Sequence, residues 1–123
     1  MKLIIPGRLD GLNAYIAACR ANQYKGAKLK ADNEKMVILA IRRQLRGVKF
    51  EKQVYMTYHW FEANKRRDLD NISSFGRKVI QDALVKTEVL RNDGWREIKG
   101  FRDEFHVDPE RPRIEVDILE VET

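Results

Sequence analysis

The sequence VKFEKQVYMTYHWF (residues 48–61) is followed after a short polar interval by NISSFGRKVIQDALVK (residues 71–86). The first segment is rich in β-branched and aromatic residues, and several of its apolar residues alternate, which is typical of a strand. In the second segment the apolar residues recur at steps of three and four, which indicates an amphipathic helix. We therefore expect a strand that leads into a helix, with Asp70 or Asn71 as the helix N-cap.

Shorter patterns elsewhere predict further strands and helices. In chain order these are a strand at 2–5, helices at 9–21 and 32–45, and strands at 95–107 and 112–121. We expect Asp10 to cap the first helix, residues 23–30 to form a polar connection, and residues 108–112 to join the last two strands in a hairpin-like turn. This order describes one compact α/β or α+β domain over residues 1–123.

Composition limits the class of protein. Lys and Arg number 24 against 19 Asp and Glu, giving a formal net charge of +5. This moderate surplus is compatible with nucleic-acid binding but does not establish it. Cys19 is the single cysteine, so an intramolecular disulfide and a Cys-rich zinc site are both excluded, and we expect this thiol to be buried and inert.

The apolar runs of the sequence are short. The longest, residues 36–41, is far below the length that a membrane-spanning helix needs. The first apolar run is cut by Pro6-Gly7 before it reaches the length of a signal peptide. We therefore expect a cytoplasmic, soluble protein with no membrane association.

The interval between the central strand and helix carries Lys65-Arg66-Arg67-Asp68-Leu69-Asp70-Asn71. Two carboxylates one residue apart repel each other unless a cation lies between them. Mg²⁺ is a common solution, because it prefers a few carboxylate oxygens and keeps several waters. The three preceding cations suggest that the group bound next to the metal is a phosphate. The segment therefore predicts the metal site of a nuclease.

A third carboxylate follows the helix in Asn92-Asp93-Gly94. This turn could fold back so that Asp93 joins Asp68 and Asp70 in a site for one or two metal ions, which would activate water for phosphodiester hydrolysis. Simpler explanations remain open, since Asp70 is also a helix cap and Asn-Asp-Gly is an ordinary turn sequence. Asp68 is harder to explain in that way, because capping needs only one side chain.

The remaining residues of chemical interest have ordinary structural explanations. We expect His59 and His106 to be packing or surface residues and not ligands. Trp60 and Trp95 are expected to be core or interface aromatics rather than platforms on which bases stack.

Three motifs together resemble the RusA family of Holliday junction resolvases: residues 66–71 (RRDLDN), residues 81–84 (QDAL) and Asn92-Asp93. The similarity is strongest over residues 65–95. The resemblance implies a small α+β domain with a mixed sheet packed against helices, forming a homodimer. It also implies an Mg²⁺-dependent endodeoxyribonuclease, with Mn²⁺ as a substitute, that nicks four-way DNA junctions in symmetric pairs during recombination and repair. Many such proteins are encoded by phages and prophages.

The resemblance assigns site residues by position. Asp68, Asp70 and Asp93 match the three essential acidic positions of the family and would hold the metal. The family's catalytic lysine stands four residues after the second aspartate, where this chain has Ser74. Lys78 is four residues further on, close to one helical turn, and is the candidate for that role. The expected DNA-binding cations are Lys65, Arg66, Arg67 and Arg77, and Arg77 is also a weaker candidate for the catalytic cation.

Two other classes of function compete with this interpretation. One is a non-catalytic accessory protein of phage recombination that binds branched DNA and uses the carboxylates structurally. The other is a phosphotransferase or phosphatase with Asp68 and Asp70 as nucleophile and acid, although that chemistry normally requires a larger parallel-sheet domain. A homodimer suits the resolvase, because a junction presents two symmetric scissile phosphates and a two-fold axis places one site at each.

Overall fold

A computed structural model describes residues 1–121, which form four strands and three helices. In chain order the elements are β1 (Lys2–Pro6), α1 (Leu12–Ala21), α2 (Gln23–Gln44), β2 (Val54–Glu62), α3 (Leu69–Lys86), β3 (Ile98–Val107) and β4 (Arg113–Glu120). The predicted order of strand, two helices, strand, helix and two strands is confirmed. None of the helices in this part of the chain combines the length and the apolar character needed to cross a bilayer.

The four strands form one mixed sheet in the order β1-β4-β2-β3. β4 pairs antiparallel with both β1 and β2, and β2 pairs parallel with β3. The hairpin-like turn expected at residues 108–112 is therefore wrong, because β2 lies between β3 and β4. The reason is the burial of β2, in which most residues from Val54 to Trp60 are inaccessible, so that this strand gains most from a partner on each side. The α+β fold with a mixed sheet is confirmed.

Helix α3 packs closely on the sheet through Gly76. A Cβ atom at this position would lie 2.8 Å from Cη2 of Trp60, so only glycine allows the helix to approach the indole this closely. Trp60 is 2% exposed and belongs to the core, as expected. The buried face of α3 also contains Ile72, Phe75, Val79, Ile80, Ala83 and Leu84. This packing fixes both the start of α3 and the loop that leads into it.

The helix caps differ from those expected. Asp10 does not cap α1; its carboxylate instead accepts a hydrogen bond from Nδ2 of Asn33 at 2.8 Å. The backbone N–H of Asn13 in the first turn of α1 donates to Oδ1 of Asn71, at 2.8 Å. Asp68 occupies the N-cap position of α3 without a side-chain capping bond, so the assignment of Asp70 or Asn71 to that position is also wrong.

Helix α2 begins at Gln23, in the segment predicted to be a polar connection. Asn22 caps it by accepting a hydrogen bond from the N–H of Lys25 at 2.8 Å. The first turns expose polar side chains and bury Gly26, which is why no apolar periodicity marks them in the sequence. Cys19 is exposed where α1 leads into α2, so the prediction of a buried thiol is wrong.

Candidate functional site

The loop between β2 and α3 is held by an ion pair. The Arg67 guanidinium donates to both carboxylate oxygens of Glu62, at 2.9 and 2.8 Å, and also to the carbonyl oxygen of Leu9 at 3.1 Å. The Arg67 and Glu62 side chains are only 16% and 9% exposed. Arg67 therefore anchors the loop, whereas the other two cations of the basic run, Lys65 and Arg66, are exposed.

Asp68 and Asp70 lie at the N-terminal end of α3, and both are exposed. Within residues 1–121 neither carboxylate takes part in an ion pair. The positive end of the helix dipole favours negative charge at this position. The two side chains are thus a pair of carboxylates free to take a cation from solvent.

A cleft of about 690 Å³ opens beside Asp68. It lies where the carboxyl ends of the parallel strands β2 and β3 meet the start of α3, the end of a strand pair at which α/β proteins commonly bind ligands. Its lining includes Lys65, Asp68, Phe105 and His106. The cleft therefore combines a cation, a carboxylate and aromatic rings at the predicted site.

The structure brings Asp93 to Lys78. Asp93 Oδ2 lies 3.3 Å from Lys78 Nζ, which also lies 3.1 Å from Oδ1 of Asp82. The hydrogen bond to Asp82 is the largest influence on Lys78, and together with the bond to Asp93 it raises the pKa of the ammonium group against the opposing effect of partial burial. Lys78 is therefore a firmly protonated cation beside the third predicted carboxylate.

Asp82 is held from a second side by α2. Lys30 Nζ lies 2.8 Å from Asp82 Oδ2, so that this carboxylate bridges Lys30 and Lys78. Partial burial is the largest single influence on Asp82 and acts to raise its pKa, but the bonds from the two lysines outweigh it and lower the pKa. Sequence reasoning missed Lys30, because it lies in the segment assigned to a polar connection and meets Asp82 only through the packing of α2 on α3.

The three predicted metal ligands do not meet at one point. Asp70 and Lys78 are eight residues apart on α3, which is about 12 Å along the helix axis. Asp93 is therefore tied to the middle of α3, whereas Asp68 and Asp70 lie at its first turn. In the described part of the chain, no three His, Cys, Asp or Glu side chains are close enough to hold a metal ion together.

Arg77 faces the sheet instead of solvent. Its guanidinium forms an ion pair with Asp103 on β3 and lies 4.6 Å from the ring centre of Phe101. Asp103 also accepts a hydrogen bond from the Trp60 indole N–H at 2.9 Å. Arg77 thus joins α3 to β3 and the core.

The two histidines lie together on the sheet. His59 Nδ1 is 3.2 Å from Nε2 of His106, and His59 Nε2 is 3.2 Å from a carboxylate oxygen of Asp117. His106 also stacks on Phe61, with ring centres 4.5 Å apart. Both side chains are partly buried packing residues here, in the environment expected for them.

The chain matches a known protein family over most of its length. The family model described as endodeoxyribonuclease RusA matches residues 2–119. The match begins at the first residue of β1 and ends one residue before the end of β4. A comparison with curated proteins finds no match. The family match therefore covers every strand and helix of the domain.

Proposed function

The chain belongs to the RusA family of endodeoxyribonucleases, and on this basis we propose that it is a divalent-metal-dependent endonuclease that resolves Holliday junctions in DNA recombination. The observation that supports this most directly is the pair of exposed carboxylates, Asp68 and Asp70, beside a cleft and next to two exposed cations. Metal-dependent phosphodiester hydrolysis uses this combination of a cation-binding and a phosphate-binding group at one position.

The residues present fit a hard divalent cation such as Mg²⁺, with Mn²⁺ as a substitute. Carboxylate oxygens are the ligands such ions prefer, and Asp68 and Asp70 have no competing ion pair in the described chain. When bound, the ion supplies an activated water and stabilises charge on the phosphoryl group. Asp93 is the proposed third ligand. To reach an ion held by Asp68 and Asp70, Asp93 would have to leave Lys78. Because the Lys78 side chain is 58% exposed, that contact is of the weak surface kind.

Lys78 is the proposed catalytic cation. Asp82, itself held by Lys30, fixes the position of the ammonium group, and the raised pKa keeps it protonated. If Asp93 held the metal, the Lys78 ammonium group would be free to contact negative charge developing on the phosphate. Lys78 would then stabilise the transition state without taking part in proton transfer.

The four cations predicted to bind DNA differ in their surroundings. Lys65 and Arg66 are exposed and suited to phosphate binding, whereas Arg67 and Arg77 are engaged in ion pairs within the domain.

We propose a homodimer as the active form, because a four-way junction presents two equivalent scissile phosphates and a two-fold axis places one active site at each.

Cleavage of an immobile four-way junction tests the proposal. We expect paired, symmetric nicks in Mg²⁺, reduced nicking of a straight duplex that carries the same arm sequences, and no nicks in EDTA because the carboxylates then hold no metal. Denaturing gels with each strand labelled in turn report the position of every nick.

Tight junction binding that is unaffected by Mg²⁺, with no nicks in Mg²⁺ or Mn²⁺, would contradict the proposal. That result would favour the non-catalytic accessory protein. A covalent phospho-aspartate at Asp68 would instead indicate a phosphotransferase.

Lys65→Ala and Arg66→Ala are expected to weaken binding to all DNA by a similar factor. Each change removes one phosphate contact, so each should reduce the slope of log K against log salt concentration by about 1. Titrations at several salt concentrations, with nicking blocked by EDTA, measure this slope. Arg43→Ala on α2 is the matched control, since it removes an exposed cation from the last turn of another helix. An unchanged slope in both variants would show that the basic run does not contact phosphates. An equal reduction in the control would show that the slope reflects net charge and not a contact at this position.

A further inference from the structure

The two tryptophans of the chain have opposite environments. Trp60 is 2% exposed, whereas Trp95 is 93% exposed. Indole rings provide much of the apolar burial in protein cores and interfaces, so a ring left almost wholly in water is unusual for this residue type. Trp95 is thus not a core residue, and its side chain contributes little to the packing of the domain.

The backbone beneath Trp95 is fixed. Its carbonyl oxygen accepts a hydrogen bond from Nε2 of Gln53 at 2.7 Å. Glu97 and Ile98, two and three residues after Trp95, donate their N–H groups to the carbonyl oxygen of Gly94, at 3.1 and 3.0 Å. The loop is therefore tied to the start of β2 and of β3. An aromatic ring on a fixed backbone loses little freedom when it binds a partner, which favours binding.

Trp95 lies on the loop that carries the third proposed metal ligand. Trp95 is two residues from Asp93, so their Cα atoms are within about 7.6 Å of each other. Asp93 in turn lies 3.3 Å from Lys78 Nζ. Arg96, the residue after Trp95, is exposed as well. The exposed indole is thus next in sequence to an exposed arginine and lies on the same short loop as a proposed catalytic carboxylate.

We propose that Trp95 stacks on a base exposed at the branch point of the DNA, and in this way helps the enzyme to distinguish a junction from a straight duplex. This proposal rests on the proposed function. Bases within a continuous duplex are covered on both faces by their neighbours, whereas a branch point can present an uncovered face. Stacking on an aromatic ring is tolerant of sequence, because every base has a π-face. It therefore suits recognition of DNA shape.

Trp95→Ala should weaken junction binding about tenfold and change duplex binding by less than about twofold, because only the junction offers the stacking face. Trp95→Phe should recover part of the loss. Binding is measured in EDTA with fluorescently labelled DNA, and Tyr24→Ala is the matched control, since it removes a 74% exposed aromatic ring from α2. Equal losses on junction and duplex, or equal losses in the Tyr24→Ala control, would overturn the proposal.

The intrinsic fluorescence of Trp95 gives a second, independent test. Subtracting the emission of Trp95→Phe, which retains only Trp60, isolates the signal of the exposed indole. We expect quenching on addition of junction and much less on addition of duplex. Emission that does not change while the junction is bound to saturation would overturn the proposal. So would emission that shifts with protein concentration in the absence of DNA, since a second copy of the chain would then cover the ring.

The two proposals fail in different ways. Symmetric nicking of junctions by a protein whose Trp95 emission does not respond to DNA would refute the stacking role alone. Quenching by junction in a protein that makes no nicks with any divalent ion would refute the endonuclease activity and leave the stacking role standing.

Discussion

Replacing Asp70 with asparagine is expected to reduce junction nicking about a thousandfold while junction binding changes by less than about threefold. Asparagine has nearly the same shape as aspartate but lacks the negative charge that holds a divalent cation. A bound metal contributes several kcal/mol of transition-state stabilisation, and each 1.4 kcal/mol corresponds to about a factor of ten in rate. Asp70 is exposed in the first turn of α3, so the fold should tolerate the change.

Single-turnover nicking of a labelled junction, together with binding in EDTA, measures the two quantities separately. Asp32→Asn is the matched control, because Asp32 is an exposed aspartate on α2 whose carboxylate pairs with Lys28 at 2.8 Å. We expect this control to nick at the wild-type rate. Nicking by Asp70→Asn within about tenfold of wild type would show that Asp70 is not a metal ligand and would restore its interpretation as a residue of the helix N-terminus.

Replacing Arg67 with alanine is expected to lower the free energy of unfolding by about 3–5 kcal/mol, because the change leaves the buried Glu62 carboxylate without its partner. The wild-type pair has two hydrogen bonds below 3 Å and little exposure of either side chain. Arg67 also donates to the Leu9 carbonyl, so its loss would loosen the loop that carries Asp68. Urea unfolding followed by circular dichroism measures the change.

The double variant Arg67→Ala with Glu62→Gln should be more stable than Arg67→Ala alone, since a neutral amide is less costly to bury than a lone carboxylate. Lys65→Ala, on the exposed part of the same run, should change stability by no more than about 0.5 kcal/mol. If Arg67→Ala keeps wild-type stability but loses DNA affinity, Arg67 is a phosphate contact after all, and its ion pair with Glu62 is replaceable.

Much of the fold follows from local patterns. The helical steps over residues 71–86 and the alternation over residues 112–121 identified α3 and β4 to within two residues at each end. The start of α2 was missed because residues 23–30 are mostly polar and mostly exposed, so no apolar periodicity marks the helix there. The N-terminal end of β2 was placed too early, since Val48 and Phe50 pack against the core as part of a loop.

The site was only partly accessible from sequence. Asp68, Asp70 and Asp93 were predicted as metal ligands from their spacing and from the family resemblance, and the pairing of Asp93 with Lys78 joins two of the predicted residues. The burial of Arg67 had no local signal, because its partner Glu62 lies at the end of the preceding strand. The motif itself does not distinguish the partly buried Arg67 from the exposed Arg66 beside it.

The sequence by itself determined the order and type of the strands and helices and the family, because hydrophobic periodicity and motif spacing are local properties of the chain. Only the tertiary structure decided which strands pair, which cations are exposed and which acids meet a lysine. These depend on contacts between residues far apart in the chain, as when β2 separates β3 from β4 or Lys30 of α2 reaches Asp82 of α3. The tertiary structure also decided the environment of each tryptophan, since Trp60 packs in the core and Trp95 lies in solvent although both are the same residue type.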